Sequence, residues 1–356
     1  DTVLVYPVLG ALALGLILLG SSCSTFRPDR EDLETGYLSD GFSRASDGAD
    51  HGSAWWIAFG SDQLNRLMAG ALAGNLTLEQ AAARLEQAEA VAKQSGAARQ
   101  VQVDGRVEGA HRRTYTDAGD TDSEEYAAGL YASYELDLWG RLRSRTKAAT
   151  AAWEASRFDL QTAAMTLSAE LAQSYLAWLA QVETLATYSS QLQASRNQLE
   201  ALELRFHAGQ STALAVLQQR QQVAAAEAKL PPVRARISQS EHAIAVLTGR
   251  VPGSDLGLTV EPLPELPARP AAGLPATLLE SRPDIQSARW KLASADWDVA
   301  AARAARLPTL ALTASVSTSA EDLGALFDDW AANLLANLVG PLLDGGSRRA
   351  EVSRAT

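Results

Sequence analysis

From Arg141 to Ala208 the chain runs for 68 residues without a glycine or a proline. At about 1.5 Å per residue a helix of that length spans about 100 Å, which few globular domains can accommodate. Its apolar residues include an unbroken seven-residue line: Leu171, Trp178, Leu185, Leu192, Leu199 and Phe206. A strict heptad line packs against a neighbouring helix in coiled-coil fashion. Gly209 breaks the run, and Ser211 or Thr212 can cap a second helix. That helix carries its own line, Val216, Val223, Leu230, Ile237 and Ile244. Pro231-Pro232 is expected to kink it, although the heptad phase continues across the pair. The two lines predict a long antiparallel hairpin with its tip at 207–212. Thr248-Gly249 ends it, and a Pro-rich connector from Pro252 to Pro275 follows.

The rest of the chain is organised by a duplication. Residues 79–107 resemble 286–314 at an offset of 207, which pairs Ala81 with Ala288, Leu85 with Leu292 and Ala97-Ala98-Arg99 with Ala304-Ala305-Arg306. Each copy begins as an Ala-rich helix and passes into alternating apolar and polar residues. Val101, Val103 and Val107 alternate with Gln102, Asp104, Arg106 and Glu108. A second run puts Tyr126, Ala128, Leu130, Ala132, Tyr134, Leu136 and Leu138 on one face, with Gly129, Ser133, Glu135 and Asp137 on the other. The second copy repeats this with Leu310, Leu312, Ala314 and Val316, then Ala332, Leu334, Ala336 and Leu338. Strands of about ten residues with one apolar face are the mark of a transmembrane barrel wall, and Tyr115, Tyr126, Trp139 and Trp330 sit where an aromatic girdle belongs. A soluble half-buried sheet has the same period, so alternation alone leaves both open. Within each copy an acidic stretch, Thr116–Glu125 and then Glu321 to Asp329, is expected to be a solvated loop; its spacing is not that of an EF-hand.

Four strands cannot close a barrel, since the smallest outer-membrane barrels need about eight. Three copies would supply twelve. The expected fold is therefore mainly α with a membrane β-barrel portion: a long coiled-coil hairpin plus four strands per chain, assembled into a trimeric barrel and a helical tunnel. The expected divisions are 1–22 a signal peptide, 23–76 an N-terminal lipidated segment, 77–249 the first repeat, 250–280 a linker, and 281–356 the second repeat, ending after its strand pair.

The start of the chain supports a route out of the cytoplasm. Val3 to Leu19 is apolar and uncharged, and Gly20-Ser21-Ser22 leads to Cys23, the only cysteine. This resembles a secretory segment followed by a lipoprotein cleavage site, with Cys23 acylated; an uncleaved membrane anchor or a plain signal peptide is the alternative. Gly20 stands where such sites usually carry Leu. Ser24 rather than Asp after the cysteine favours the outer membrane. Net charge is −11, with 31 basic residues against 42 acidic ones and no basic stripe, which argues against nucleic-acid binding. His51, His111, His207 and His242 have no metal-ligand spacing, so no metal or other cofactor is expected. Glu135 and Asp137 could form an acid–base pair, but carboxylates facing an aqueous lumen explain them without catalysis, and no enzyme activity is expected.

Several segments together resemble the outer membrane efflux proteins, the TolC-like channel subunits, in particular the NodT-type lipoprotein branch. They are Trp55-Trp56 with Phe59-Gly60, Glu135-Leu136-Asp137-Leu138-Trp139-Gly140-Arg141, Ser281-Arg282-Pro283-Asp284-Ile285, Arg306-Leu307-Pro308, and Pro341-Leu342-Leu343-Asp344-Gly345-Gly346. The resemblance implies a homotrimer with a twelve-stranded barrel in the outer membrane and a periplasmic tunnel. It implies passive export of small molecules such as drugs, with an inner-membrane pump and a periplasmic adaptor as partners. It also implies adaptor docking at the hairpin tip, here Arg205, Gly209, Gln210, Ser211 and Thr212. A second long hairpin is implied after Gly345-Gly346, whereas only Ser347–Thr356 follow, so the sequence reads as part of a longer frame and the tunnel-gate residues cannot be assigned. A periplasmic adaptor protein, which also has a coiled-coil hairpin, is the alternative; the 207-residue duplication of strand pairs argues against it.

Overall fold

The structure is a computed structural model that describes residues 54–117, 119–268 and 275–356. Cys23 and the expected signal peptide lie outside these residues. The helices are α1 (Asp62–Gly74), α2 (Leu76–Ala97), α3 (Arg141–His207), α4 (Ala213–Glu227), α5 (Leu230–Leu247), α6 (Pro275–Ser281), α7 (Pro283–Ala304) and α8 (Ser347–Ala355). The strands are β1 (Gln102–Thr116), β2 (Gly119–Leu136), β3 (Thr309–Ala320) and β4 (Ala331–Val339). The chain divides into two compact units, one of Arg84–Phe158 with Asp284–Thr356, the other of Asp159–Pro283 with the described part of Thr35–Ala83. Helices α2 and α3 contribute to both.

The first unit holds one antiparallel sheet in the order β1-β2-β3-β4. The central pairing, Tyr126↔Ala320 to Leu136↔Leu310, joins the two sequence copies directly. Registers Gly105↔Leu130 and Leu130↔Val316 put the apolar alternations of all four strands on one face. The opposite face carries rungs such as Asp104, Tyr131, Ser315 and Asn333. The helical part of this unit packs through small residues. Ala148, Ala151 and Ala155 of α3 and Ala293, Ala300, Ala301 and Ala304 of α7 are buried. Ser294 Oγ donates to the Ala148 carbonyl at 2.9 Å, and Lys147 Nζ lies 4.3 Å from the Trp297 ring centre.

The strands differ from the sequence reading in length. Residues 119–125 are not a loop: β2 starts at Gly119 and pairs through Thr116↔Gly119, leaving only a tight turn. The acidic residues there face basic ones across the ribbon. Arg113 lies 3.8 Å from Asp120 and 3.7 Å from Asp122, and His111 lies 3.6 Å from Glu124. Opposite charges in cross-strand positions stabilise a pair that has no apolar alternation. The second acidic stretch does remain outside the strands, between β3 and β4.

The second unit is the helical hairpin and its base. Cross-links between α3 and the returning helices shorten in sequence separation toward the tip. Trp178 Nε1 donates to Glu241 (3.1 Å), Arg196 to Glu227 (2.5 Å) and Arg220 to Glu203 (2.7 Å). This is the antiparallel arrangement the heptad lines predict, with Leu192, Val223, Ala226 and Leu230 forming the buried seam. Phe206, the last residue of the α3 line, is exposed. The interruption expected at Pro231-Pro232 falls at 228–229, with the prolines in the first turn of α5. Their missing N–H groups are harmless there, because the first turn has no intrahelical acceptors for them.

The hairpin base is a larger core in which Leu64, Met68 and Ala71 of α1 pack on Leu171, Tyr175, Trp178 and Leu179 of α3 and Ile244 of α5. A polar knot seals it. The Tyr175 hydroxyl lies 3.2 Å from Ser61 Oγ, accepts from Gln63 Nε2 and donates to the Glu261 carboxylate, each also at 3.2 Å. Gln63 Oε1 accepts from the Thr259 N–H and hydroxyl. Thr259 and Glu261 belong to the Pro-rich connector, which is thereby fastened to the base. Burial raises the Tyr175 pKa above its ordinary value, and the Glu261 charge adds to this against opposing hydrogen bonds from Ser61 and Gln63.

Candidate functional site

Two regions carry features that packing within the chain leaves unexplained: the apolar face of the sheet and the hairpin tip. On the sheet, Val107 is 87% exposed, Leu334 78% and Leu130 61%. A half-buried soluble sheet would cover these residues, and here, among the described residues of this unit, no helix covers them. The apolar band has a definable height. The eleven paired positions from Tyr126↔Ala320 to Leu136↔Leu310 span about 33 Å along the strand at ~3.3 Å per residue. Tilted by ~40°, as barrel strands are, they rise about 25 Å, the height of the apolar band of an outer-membrane barrel. Trp330 is exposed at one end of the band. Beyond Tyr126 only β1 and β2 continue, as the charged ribbon.

The junction between β2 and α3 accounts for both carboxylates singled out in the sequence. Glu135 is on the polar face, opposite Ala311. Arg141 Nη2 donates to its two oxygens at 2.7 and 2.6 Å. Asp137 is not a strand residue, since β2 ends at Leu136. Its carboxylate accepts from the N–H groups of Leu142 (3.0 Å) and Arg143 (2.7 Å) at the start of α3. A negative charge there satisfies first-turn donors and the helix dipole. The duplication repeats the device: Asp344, 207 residues later, accepts from Gly346 and Arg348 at the start of α8. Trp139 Nε1 donates to the Pro308 carbonyl at 2.7 Å, tying this junction to the second copy. The carboxylates are thus held by local partners rather than paired with one another. Among the described residues no group of three or more His, Cys, Asp or Glu side chains is placed to hold a metal ion.

At the tip the chain turns by a Schellman motif. The N–H of Gln210 reaches the Arg205 carbonyl (2.7 Å) and that of Gly209 the Phe206 carbonyl (2.9 Å). Gly209 has φ +71° and open space around it. Thr212 caps α4, its Oγ1 accepting from the Ala215 N–H at 3.3 Å. Arg205 and His207 stand in the last turn of α3, where cations complement the dipole. The tip also exposes Leu204, Phe206, Leu214 and Leu217. Of these, Leu204, Leu214 and Leu217 are additions to the residues the sequence singles out at the tip. They lie off the heptad lines, and that offset was the available signal.

The sequence matches the family described as Outer membrane efflux protein over residues 67–250 and 274–356. It is 34% identical to the pyoverdine export outer membrane protein OpmQ of Pseudomonas aeruginosa, over 97% of this chain and 75% of that protein. It is 31% identical to the outer membrane protein OprJ of the same organism, over 98% of this chain and 75% of OprJ. The fold superposes on the outer-membrane channel OprN with a TM-score of 0.82 at 28% identity, covering 92% of this chain and 76% of OprN.

Proposed function

This chain belongs to the outer membrane efflux protein family and is an outer-membrane channel subunit of an efflux system; from that premise we propose that three copies close one barrel and form a passive duct. The chain is a transport protein, not an enzyme. The observation that carries the proposal is the sheet: an exposed apolar face of membrane height, a polar face behind it, and two outer strands, β1 and β4, whose outer edges have no strand partner among the described residues. Twelve strands from three chains place the apolar face against lipid and the polar face, with Glu135, toward an aqueous lumen. Asp137 then sits at the lumen's inner rim as a helix cap. The hairpin extends into the periplasm, where an adaptor links the duct to an inner-membrane pump that supplies the energy.

The tip docks the adaptor. Arg205, Gly209, Gln210, Ser211 and Thr212 offer charge and short polar groups, and the exposed leucines supply apolar area that water disfavours. Cys23 anchors each chain by acyl groups to the periplasmic leaflet, a reading supported by the apolar run and small residues before it. Relatives handle diverse cargo: one is a pyoverdine export protein and another a solvent efflux pump protein of Pseudomonas putida. The cargo here is correspondingly a small molecule set by the pump. Detergent-solubilised trimers that conduct in planar bilayers are expected from the assembled protein. A stable monomer without conductance would overturn the duct.

A further inference from the structure

The polar face of the sheet is not uniform. Within the apolar band, β2, β3 and β4 present mostly Ser, Thr, Asn, Ala and Gly on it, with Tyr131 the one large ring. Fixed charge within the band comes from β1 alone, as Asp104, Arg106 and Glu108 on alternate residues, apart from Glu135 at the rim, which Arg141 neutralises. Their neighbours in β1, Val103 and Val107, point to the opposite, apolar face.

The three charges are not paired with one another. The Arg106 guanidinium lies 4.8 Å from the Tyr131 ring centre, across the sheet surface. The residue opposite Arg106 is Gly129. A Cβ there would come within 2.8 Å of the Ser317 side chain, so β2 and β3 approach closely and nothing stands up beside Arg106. The arginine therefore reaches over the ring, an arrangement favoured by cation–π attraction. Asp104 and Glu108 are exposed, and among the described residues neither has an ion pair or a side-chain hydrogen bond. Two carboxylates and one ring-bound guanidinium leave each chain one negative charge on this face. Farther out in the ribbon, Arg112 and Glu125 on the same face cancel one another.

We propose that β1 sets the charge preference of the duct: Asp104 and Glu108 draw cationic solutes into the barrel, and Arg106, laid on Tyr131, limits that preference. The proposal rests on the reading of the polar face as lumen, and it narrows the favoured cargo to cations over anions of equal size. Rings of carboxylates select cations in channels and rings of arginine or lysine select anions. In the closed barrel the stripe recurs three times around the lumen.

The test is the reversal potential of the assembled channel in a KCl gradient, with K⁺ and Cl⁻ as probes. The wild type is expected to prefer K⁺. Asp104→Asn with Glu108→Gln leaves a net positive stripe and is expected to invert the preference to Cl⁻. Arg106→Gln is expected to strengthen the preference for K⁺. All three effects should shrink in 1 M KCl, where the screening length falls to about 3 Å. A rescue arm guards against assembly defects: Asp104→Cys treated with a sulfonated thiol reagent regains K⁺ preference, with the wild type as control for Cys23. A wild type that prefers Cl⁻, or a preference unchanged in both charge variants, overturns the proposal. A wild-type protein that does not conduct, or a Val103→Cys that reacts from the lumen where Asp104→Cys does not, overturns the duct reading beneath it.

Discussion

Replacing Gly249 with alanine is expected to destabilise the hairpin base more than the same change at Gly209, although both glycines have the same backbone conformation. Both end a helix in a Schellman turn, with φ +72° and +71° respectively. Each alanine variant bears the left-handed penalty of about 1–2 kcal/mol. The surroundings differ. At Gly209 a Cβ meets nothing within 4 Å, whereas at Gly249 it would lie 2.0 Å from the Gly74 carbonyl oxygen and 2.9 Å from its carbon. That carbonyl has little freedom to retreat. Asn75, the next residue, donates from Nδ2 to the Leu247 carbonyl (3.0 Å), and its Oδ1 accepts from the Leu78 N–H (2.9 Å). Forcing atoms into such a fixed contact adds about 1–3 kcal/mol. The totals are about 1–2 kcal/mol at the tip and about 2–5 kcal/mol at the base. For a unit of 150–250 residues each kcal/mol lowers Tm by about 2–4 °C. Circular dichroism melts of the purified protein at one fixed scan rate would compare the two, since unfolding of a membrane assembly is commonly irreversible. Equal losses at the two positions would mean that the Gly74 carbonyl moves freely and that α1 and α5 are not locked together as described.

Four further outcomes are expected. Tyr175→Phe removes the hydroxyl shared by Ser61, Gln63 and Glu261 and should cost about 1–3 kcal/mol in a thermal melt, because the partners stay buried without it. The raised Tyr175 pKa means that the phenol's contribution is complete below the unfolded value of about 10 and is lost as pH rises through the folded one, so the wild type should show an alkaline melting step that the Phe variant lacks. Cys23→Ser should abolish metabolic acyl labelling, and undiminished labelling would refute the anchor. Arg205→Glu should weaken cross-linking to the adaptor without altering the melting temperature; unchanged cross-linking would leave the tip as a turn and nothing more.

The hairpin was legible because its evidence is periodic and local: two heptad lines and a glycine at the turn. The sheet faces were equally plain from alternation and from the 207-residue duplication. What escaped was structure held by pairing between distant residues. The ribbon at 119–125 has polar residues on both faces, so it reads as a loop until Arg113 and His111 are seen opposite its acids. Gln63 and Tyr175 meet Thr259 and Glu261 across nearly 200 residues in one case and 86 in the other, and nothing in either segment announces the other. Asp137 continued an alternating run and so looked like strand, but the helix after it needed a cap more than the strand needed another residue. The leucines at the tip lie off the heptad lines, which mark the seam between helices and not the surface left for a partner.

The two outer strands of the sheet also bear on how the protein is made. Among the described residues of one copy, the outer sides of β1 and β4 have no strand partner for their amide and carbonyl groups, and hydrocarbon offers them none, at a cost of several kcal/mol for each group. A single subunit therefore has no stable resting place within the bilayer core. The same exposed edges in water invite indiscriminate strand pairing. Biogenesis of this wall is accordingly bound to a sequence of events in which copies meet before, or while, they enter the lipid, and a folding factor that shields β1 and β4 until the third copy arrives would act at the step where the pathway is most easily lost.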